Sequence, residues 1–234
     1  MKVLTLRTCI VNTSVGIVSE EKSRVFSSFV VGLFHSTIKE EIFLSKNLSL
    51  WIEGTIMAAL ATALSFVPLQ VGPSFSITVG QPVLVLYALR RGWGPGLVAS
   101  FLWGILHLFV GNADILTPLQ GFIEYFVAFT FTGFAGFWAN ATVTAAQNKQ
   151  TKRAILYIAI ASIVGTVARF FWHTIAGYYF WGQYAPADWS PWLYSIVMNG
   201  ASAFATTVFT VIVLLLTYRA NPNLYIPKNA KYGY

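Results

Sequence analysis

A carboxylate stands where lipid-facing residues are expected. Glu124 lies in GFIEYFVAF, residues 121–129, among aromatic and aliphatic neighbours. Seven residues separate it from Thr117, at the start of this apolar stretch, a depth of roughly 10 Å at 1.5 Å per residue. A charge at that depth is costly unless it faces protein, water or a ligand. His173 lies eight residues before Trp181, and Asn199 eight after Pro191, with Tyr194 between these last two. These counts put a carboxylate, an imidazole, a phenol and an amide at one level, roughly 10–13 Å below one rim. Tyr125, Trp181, Trp189 and Trp192 surround that level. Such a set describes an outward-opening pocket lined by aromatics and carrying a few fixed polar groups. It suits a flat, nitrogen-rich cation. The carboxylate balances positive charge, the rings stack or attract the cation, and His, Tyr and Asn supply directional hydrogen bonds.

Each residue also has a plainer role open to it. Glu124 can pair with Arg169, a second charge inside an apolar stretch. His173 can be a packing histidine, and Asn199 can join helices by hydrogen bonding. Trp189 and Trp192 stand near stretch ends, where tryptophans anchor at the membrane interface. Agreement in depth across three segments is what favours a pocket.

The elements that must hold these residues are membrane helices. Of 234 residues, 56% are hydrophobic and 10% charged, and the mean hydropathy is +0.64. Soluble domains average about 25% charged residues. A crossing helix needs roughly 20 mostly apolar residues. Six stretches qualify, at about 50–70, 74–90, 95–111, 117–141, 154–181 and 192–217. The fold expected is an all-α integral membrane protein of six transmembrane helices. The second stretch carries Gly80 and Pro82, which predicts a broken or tilted helix there. In the fourth, Thr117, Gly121, Glu124, Ala128, Thr132, Ala135 and Ala139 recur at steps of three and four, a small and polar stripe. Phe122, Phe126 and Phe129 fall on the other side, toward lipid.

Basic residues gather on alternate connections: Arg90 and Arg91, then Lys149, Lys152 and Arg153, then Arg219, Lys228 and Lys231. The remaining connections carry only Asp114 and Asp188. The positive-inside rule places both termini in the cytoplasm. It also accounts for the net charge of +7 without a nucleic-acid partner. The domain organisation expected is an N-terminal cytoplasmic extension over 1–48, or a start assigned too early, then a six-helix membrane domain over 49–220 and a cytoplasmic tail over 221–234. The extension has no cleavage pattern of a signal peptide. One cysteine, Cys9, forms no internal disulfide, and no spacing points to a metal or other cofactor.

The first stretch places Thr55, Ala59 and Ala63 four apart, beside Ala58 and Thr62. A small-xxx-small face admits another helix at close range. Turned inward it packs the bundle; turned outward it docks a partner subunit. There is no Walker motif, no GxSxG and no HExxH. ATP hydrolysis and the common hydrolase chemistries are thereby not expected of this chain.

At these residues the chain resembles a known family. The six stretches, the small-residue repeat, YALRRGWGPG, GFIEY and HTIAGYYFWGQY…YSIVMNG resemble the thiamine-specific S component of energy-coupling factor (ECF) transporters, the ThiT family. The resemblance covers about residues 50–220. It implies the S-component fold and a multi-pass subunit of the bacterial-type plasma membrane that captures thiamine from outside. It implies as partners a transmembrane coupling subunit and two cytoplasmic ATPases, with no enzymatic activity in this chain. It would place Glu124 on the aminopyrimidine, Trp181 in a stack, His173 near the thiazolium, and Tyr125, Tyr194 and Asn199 on the remaining polar contacts. The Thr55/Ala59/Ala63 face would meet the coupling subunit. The family carries a tryptophan after its first helix; here VPLQVGPSFSITVG has none, and Phe75 stands as its replacement. Other readings of the same sequence are an S component for another vitamin or precursor, an intramembrane enzyme acting on a lipid or isoprenoid, and a self-sufficient secondary carrier.

Overall fold

The computed structural model describes residues 48–71 and 74–227. The expectations for residues 1–48 therefore fall almost wholly outside the described residues, as does the last part of the tail. The chain divides into Met1–Ser49 and Leu50–Tyr234, and the helical bundle belongs to the second unit.

Six helices carry the bundle: α1, Leu48–Leu64; α2, Gln81–Arg91; α3, Trp93–Phe109; α4, Pro118–Gln147; α5, Thr151–Tyr184; and α6, Pro191–Ala220. The last three are long and apolar enough to cross a membrane, while α1 and α3 are shorter apolar helices. Two helix starts are set by the residues that cap them. Thr117 accepts a hydrogen bond from the Gln120 N–H at 3.2 Å and Pro118 follows it. Ser190 accepts from the Leu193 N–H at 3.2 Å and Pro191 follows it. A hydroxyl cap followed by proline is a strong helix start, and it fixes how far down α4 and α6 the polar residues lie. Between α2 and α3 the chain turns on Gly92 alone, at φ +94°, a value that disfavours side chains.

The second apolar stretch, expected as a broken or tilted helix over 74–90, does break at Gly80 and Pro82, but the part before the break is not helical. Only its second half is helical. Its first half forms strand β2, Phe75–Ser76, which pairs antiparallel with β1, Gln70–Val71. Pro82 sits in the first turn of α2 behind Gly80, so the helix cannot extend backwards through it without losing a hydrogen bond. The preceding Ser-Ile-Thr-Val run is β-prone and takes its backbone partners elsewhere. The first stretch is also shorter than expected, since α1 ends at Leu64 and residues 65–69 lead to β1.

Two packed regions hold the bundle. One joins Ala58, Ala61, Leu84, Tyr87, Ala99, Trp103, Tyr125 and Phe129. The other joins Val85, Ala88, Leu89, Ala135, Ala154, Ile158, Ala161, Leu214, Tyr218 and Tyr225. The many alanines let helix backbones approach closely, which is how helices associate where lipid offers no hydrophobic drive. The second region lies toward the basic end of the bundle. There Glu53 bridges Arg90, at 2.6 Å, and Arg91. Arg90 also donates to the Leu224 carbonyl at 2.7 Å. The short turn Pro222–Tyr225 is thereby held under the bundle.

On α1, Thr55, Ala59 and Ala63 face outward, while Gly54, Ala58, Ala61 and Thr62 are buried. Of the two orientations left open by the sequence, the exposed one is seen.

Candidate functional site

A cavity of about 350 Å³ opens at the end of the bundle opposite the basic residues. Its walls include Glu124 and Tyr125 from α4, His173 and Trp181 from α5, Tyr194 and Asn199 from α6, and Phe75 from β2. The structure thus brings together all seven residues singled out as ligand contacts. Trp189 and Trp192 do not line it. Both are partly exposed, and Trp192 stacks on Tyr178 at 4.1 Å, as interfacial anchors do.

Local backbone geometry explains how α4 and α5 present their residues. Phe122–Ala128 and Gly177–Trp181 are π-helical. A π turn carries an extra residue and shifts the helical phase of the residues beyond it; such turns recur at functional sites. One consequence corrects the reading of α4. Gly121, Glu124, Ala128, Thr132, Ala135 and Ala139 are buried as the stripe predicts, while Thr117 at its start is exposed; on the side expected to face lipid, Phe129 is buried too, at 3% exposure. The wider turn rotates it from lipid to the interior. Phe122 stays exposed.

Two glycines allow the close approaches that the site needs. A β-carbon on Gly104 of α3 would sit 1.8 Å from the Tyr125 carbonyl oxygen, so α3 can cross α4 here only without a side chain. A β-carbon on Gly177 would sit 2.4 Å from Ser195 Oγ and 2.7 Å from Asn199 Nδ2. Gly177 therefore lets α5 and α6 meet beside Asn199.

The polar groups have definite partners. The Trp181 indole N–H donates to Glu124 Oε1 at 2.7 Å, which joins the two π segments across the cavity. Among the described residues Glu124 makes no salt bridge with Arg169. Arg169 donates to Gln81 Oε1 at 3.0 Å, and Gln81 donates in turn to Thr166. The guanidinium lies over Phe129, Trp103 and Phe170, at 4.2, 4.9 and 5.4 Å from their centroids. Its charge is thus met by ring faces and an amide. Arg169 still attracts the Glu124 carboxylate at longer range, but no cation among the described residues forms a salt bridge with it. In a buried site that is an unfavourable state, and a cationic ligand relieves it.

The Tyr125 hydroxyl oxygen accepts from the Asp114 N–H at 2.9 Å. Asn199 Nδ2 donates to the Ser195 carbonyl at 3.0 Å and to Ser195 Oγ at 3.2 Å, which leaves its Oδ1 as an acceptor. His173 Nε2 is buried and has no partner among the described residues. Tyr194 donates to Ser74 Oγ at 2.9 Å.

Several wall residues were not singled out from the sequence. His107 of α3 is 5% exposed, bonds the Trp103 carbonyl through Nδ1 at 2.9 Å and lines the cavity. Asn112, Asp114, Ser74 and Ser195 also line it, as does Arg169. The signal for His107 was available, since it lies near the same end of an apolar stretch as His173. Asn112, Asp114 and Ser74 sit in connections, Arg169 reads on sequence as a partner for Glu124, and Ser195 of α6 is a small hydroxyl that nothing in the sequence marks. Among the described residues the walls carry two carboxylates, Glu124 and Asp114, against one guanidinium already engaged by rings.

Comparison with known proteins agrees with this geometry. Residues 51–226 match the model of the thiamine transporter protein family (Thia_YuaJ). The thiamine transporter ThiT of Lacticaseibacillus paracasei is 37% identical over 190 residues, covering 80% of this chain and 94% of that protein. ThiT of Bacillus subtilis is 30% identical over 183 residues, covering 77% and 95%. A solved structure of ThiT from Listeria monocytogenes superposes with a TM-score of 0.77 at 42% identity, covering 78% of this chain and all of that one. The chain therefore belongs to the thiamine transporter protein family.

Proposed function

We propose that this chain is the thiamine-binding S component of an ECF-type importer, a transport subunit and not an enzyme. The observation that carries the ligand assignment is the buried Glu124 carboxylate, bonded to a neutral indole and in no salt bridge among the described residues, in an aromatic cavity of about 350 Å³. That volume lies within the range of small-molecule sites. Thiamine is a flat cation with an aminopyrimidine, and its charge offsets the cost of the buried carboxylate. Glu124 takes the cationic or amino side of the ligand and Trp181 offers a ring face beside it. His173, Tyr194 and Asn199 supply polar contacts, with Tyr125 and Phe75 completing the walls.

The chain sits in a bacterial-type plasma membrane with the cavity end outside and both termini in the cytoplasm. The gathering of Arg90, Arg91, Lys149, Lys152 and Arg153 at the other end supports that orientation. Uptake relies on a transmembrane coupling subunit and two cytoplasmic ATPases, because the sequence carries no nucleotide-binding motif of its own. The exposed Thr55, Ala59 and Ala63 face of α1 receives the coupling subunit, since small side chains there admit a helix at close range.

The test is thiamine titration of the detergent-purified chain, followed by its own tryptophan fluorescence. Saturable quenching without partners and without chemical turnover is the expected result. Absence of binding by well-folded protein would contradict thiamine as ligand and direct the same titration to other vitamins. Product formation would mark an enzyme. Uptake by the chain alone in vesicles, driven by an ion gradient, would mark a self-sufficient carrier.

A further inference from the structure

Strand β2 has two edges, and among the described residues only one of them is paired with a strand. On that side, the Ile77 N–H donates to the Leu69 carbonyl at 2.8 Å, and the β1 pairing continues the ladder. On the other side the partner is a helix. The Ser76 N–H donates to Ser202 Oγ at 3.1 Å, and the Thr78 N–H donates to Thr206 Oγ1 at 3.2 Å. Ser202 and Thr206 belong to α6 and are 1% and 0% exposed. The spacing matches for a physical reason. Alternate strand residues point the same way and lie about 6.8 Å apart, while four helical residues rise about 6 Å. Two hydroxyls four apart on α6 therefore meet two strand N–H groups two apart. Ser202 spends its own proton on the Met198 carbonyl at 2.8 Å, so a lone pair remains to face the strand.

The two hydroxyls lie more than 120 residues away in sequence from the segment they hold. They fix Phe75, Ser76, Ile77 and Thr78 where these form a wall of the cavity. Resting on the thiamine reading above, we propose that Ser202 and Thr206 are positioning residues that set how long the ligand stays bound. They do not line the cavity themselves; they act through the β2 backbone. Loosening β2 from α6 opens an exit without altering the groups that recognise the ligand. The effect falls on the dissociation rate, where differences in affinity within one site usually lie.

The experiment is stopped-flow tryptophan fluorescence with thiamine on the purified full chain. It compares wild type with Ser202→Ala, Thr206→Val and the pair. Loss of the two neutral hydrogen bonds predicts roughly tenfold faster dissociation in the pair, with the association rate within about twofold of wild type. Ser202→Thr and Thr206→Ser, which keep the hydroxyl, restore the wild-type rate. Thr210→Val is the control: Thr210 lies four residues further along the same buried stripe, and its hydroxyl meets no partner among the described residues. Its dissociation rate stays unchanged. Equal acceleration by Thr210→Val would assign the effect to general loosening of α6 and overturn the proposal. So would an unchanged dissociation rate in the pair. Should the pair fail to fold, the two single variants decide by the same criterion. Failure of wild type to bind thiamine would instead refute the functional reading on which the proposal rests.

Discussion

At the basic end of the bundle, Ala154, Ile158, Leu214 and Tyr218 close a core of apolar side chains, and its charges stay at the rim as the Glu53–Arg90–Arg91 cluster. At the cavity end the same helices α4, α5 and α6 carry a carboxylate, an imidazole, a phenol and an amide inward, and two of them leave α-helical geometry to do so. The first end closes without a ligand. The second holds a carboxylate bonded to a neutral indole and a histidine nitrogen with no partner among the described residues. The difference shows how a small membrane protein combines rigidity with recognition. Close apolar packing at one end keeps the helices in register, while the other end keeps polar groups whose hydrogen bonding is incomplete among the described residues, which is what the proposed ligand site requires.

Variants can break this contrast in either direction. The largest effect belongs to Leu214→Ala, which empties a site that is 1% exposed. It is expected to destabilise the protein by about 2–5 kcal/mol, read as a fall in unfolding temperature in detergent, while the folded fraction keeps its thiamine affinity. A loss of affinity would mean that the two ends are energetically coupled. Gly177→Ala is next. Its β-carbon meets Ser195 and Asn199, and overpacking of this kind costs about 1–3 kcal/mol. Isothermal titration with thiamine should show binding weakened by roughly tenfold, with a smaller change in unfolding temperature than Leu214→Ala gives. Tyr125→Phe removes the acceptor of the Asp114 N–H. A lost hydrogen bond of about 1 kcal/mol predicts a several-fold weaker thiamine affinity in the same titration. Glu53→Gln stands last. Its ion pairs are partly exposed, and such pairs contribute about 0–1 kcal/mol. A small drop in unfolding temperature that shrinks further with added salt is expected, with no change in binding.

The long helices were legible because membrane spans write themselves as apolar runs, and the starts of α4 and α6 because Thr117-Pro118 and Ser190-Pro191 are explicit signals. Those two starts made depth countable, and counting depth is what grouped Glu124 with Tyr194 and Asn199. The β1–β2 pair was not legible. Its strands are two residues each, too short for periodicity, and its outer edge is satisfied by Ser202 and Thr206, far away in sequence. The inward turn of Phe129 was hidden for a related reason, since a π turn leaves no compositional mark yet shifts the helical phase. Arg169 illustrates a third limit. Two opposite charges in apolar stretches invite pairing on paper. In the folded bundle Gln81 and three aromatic rings surround Arg169, and Glu124 is left to the cavity.

The most direct test of the central claim compares thiamine binding by the purified protein and by Glu124→Gln, side by side in isothermal titration. The substitution keeps the shape and a hydrogen-bonding oxygen but removes the charge. Tight saturable binding by wild type and at least a tenfold weaker affinity in the variant, about 1.4 kcal/mol, with matching unfolding temperatures, is the predicted result. Equal affinity in the two proteins would contradict the account and leave the carboxylate as a structural acceptor for Trp181.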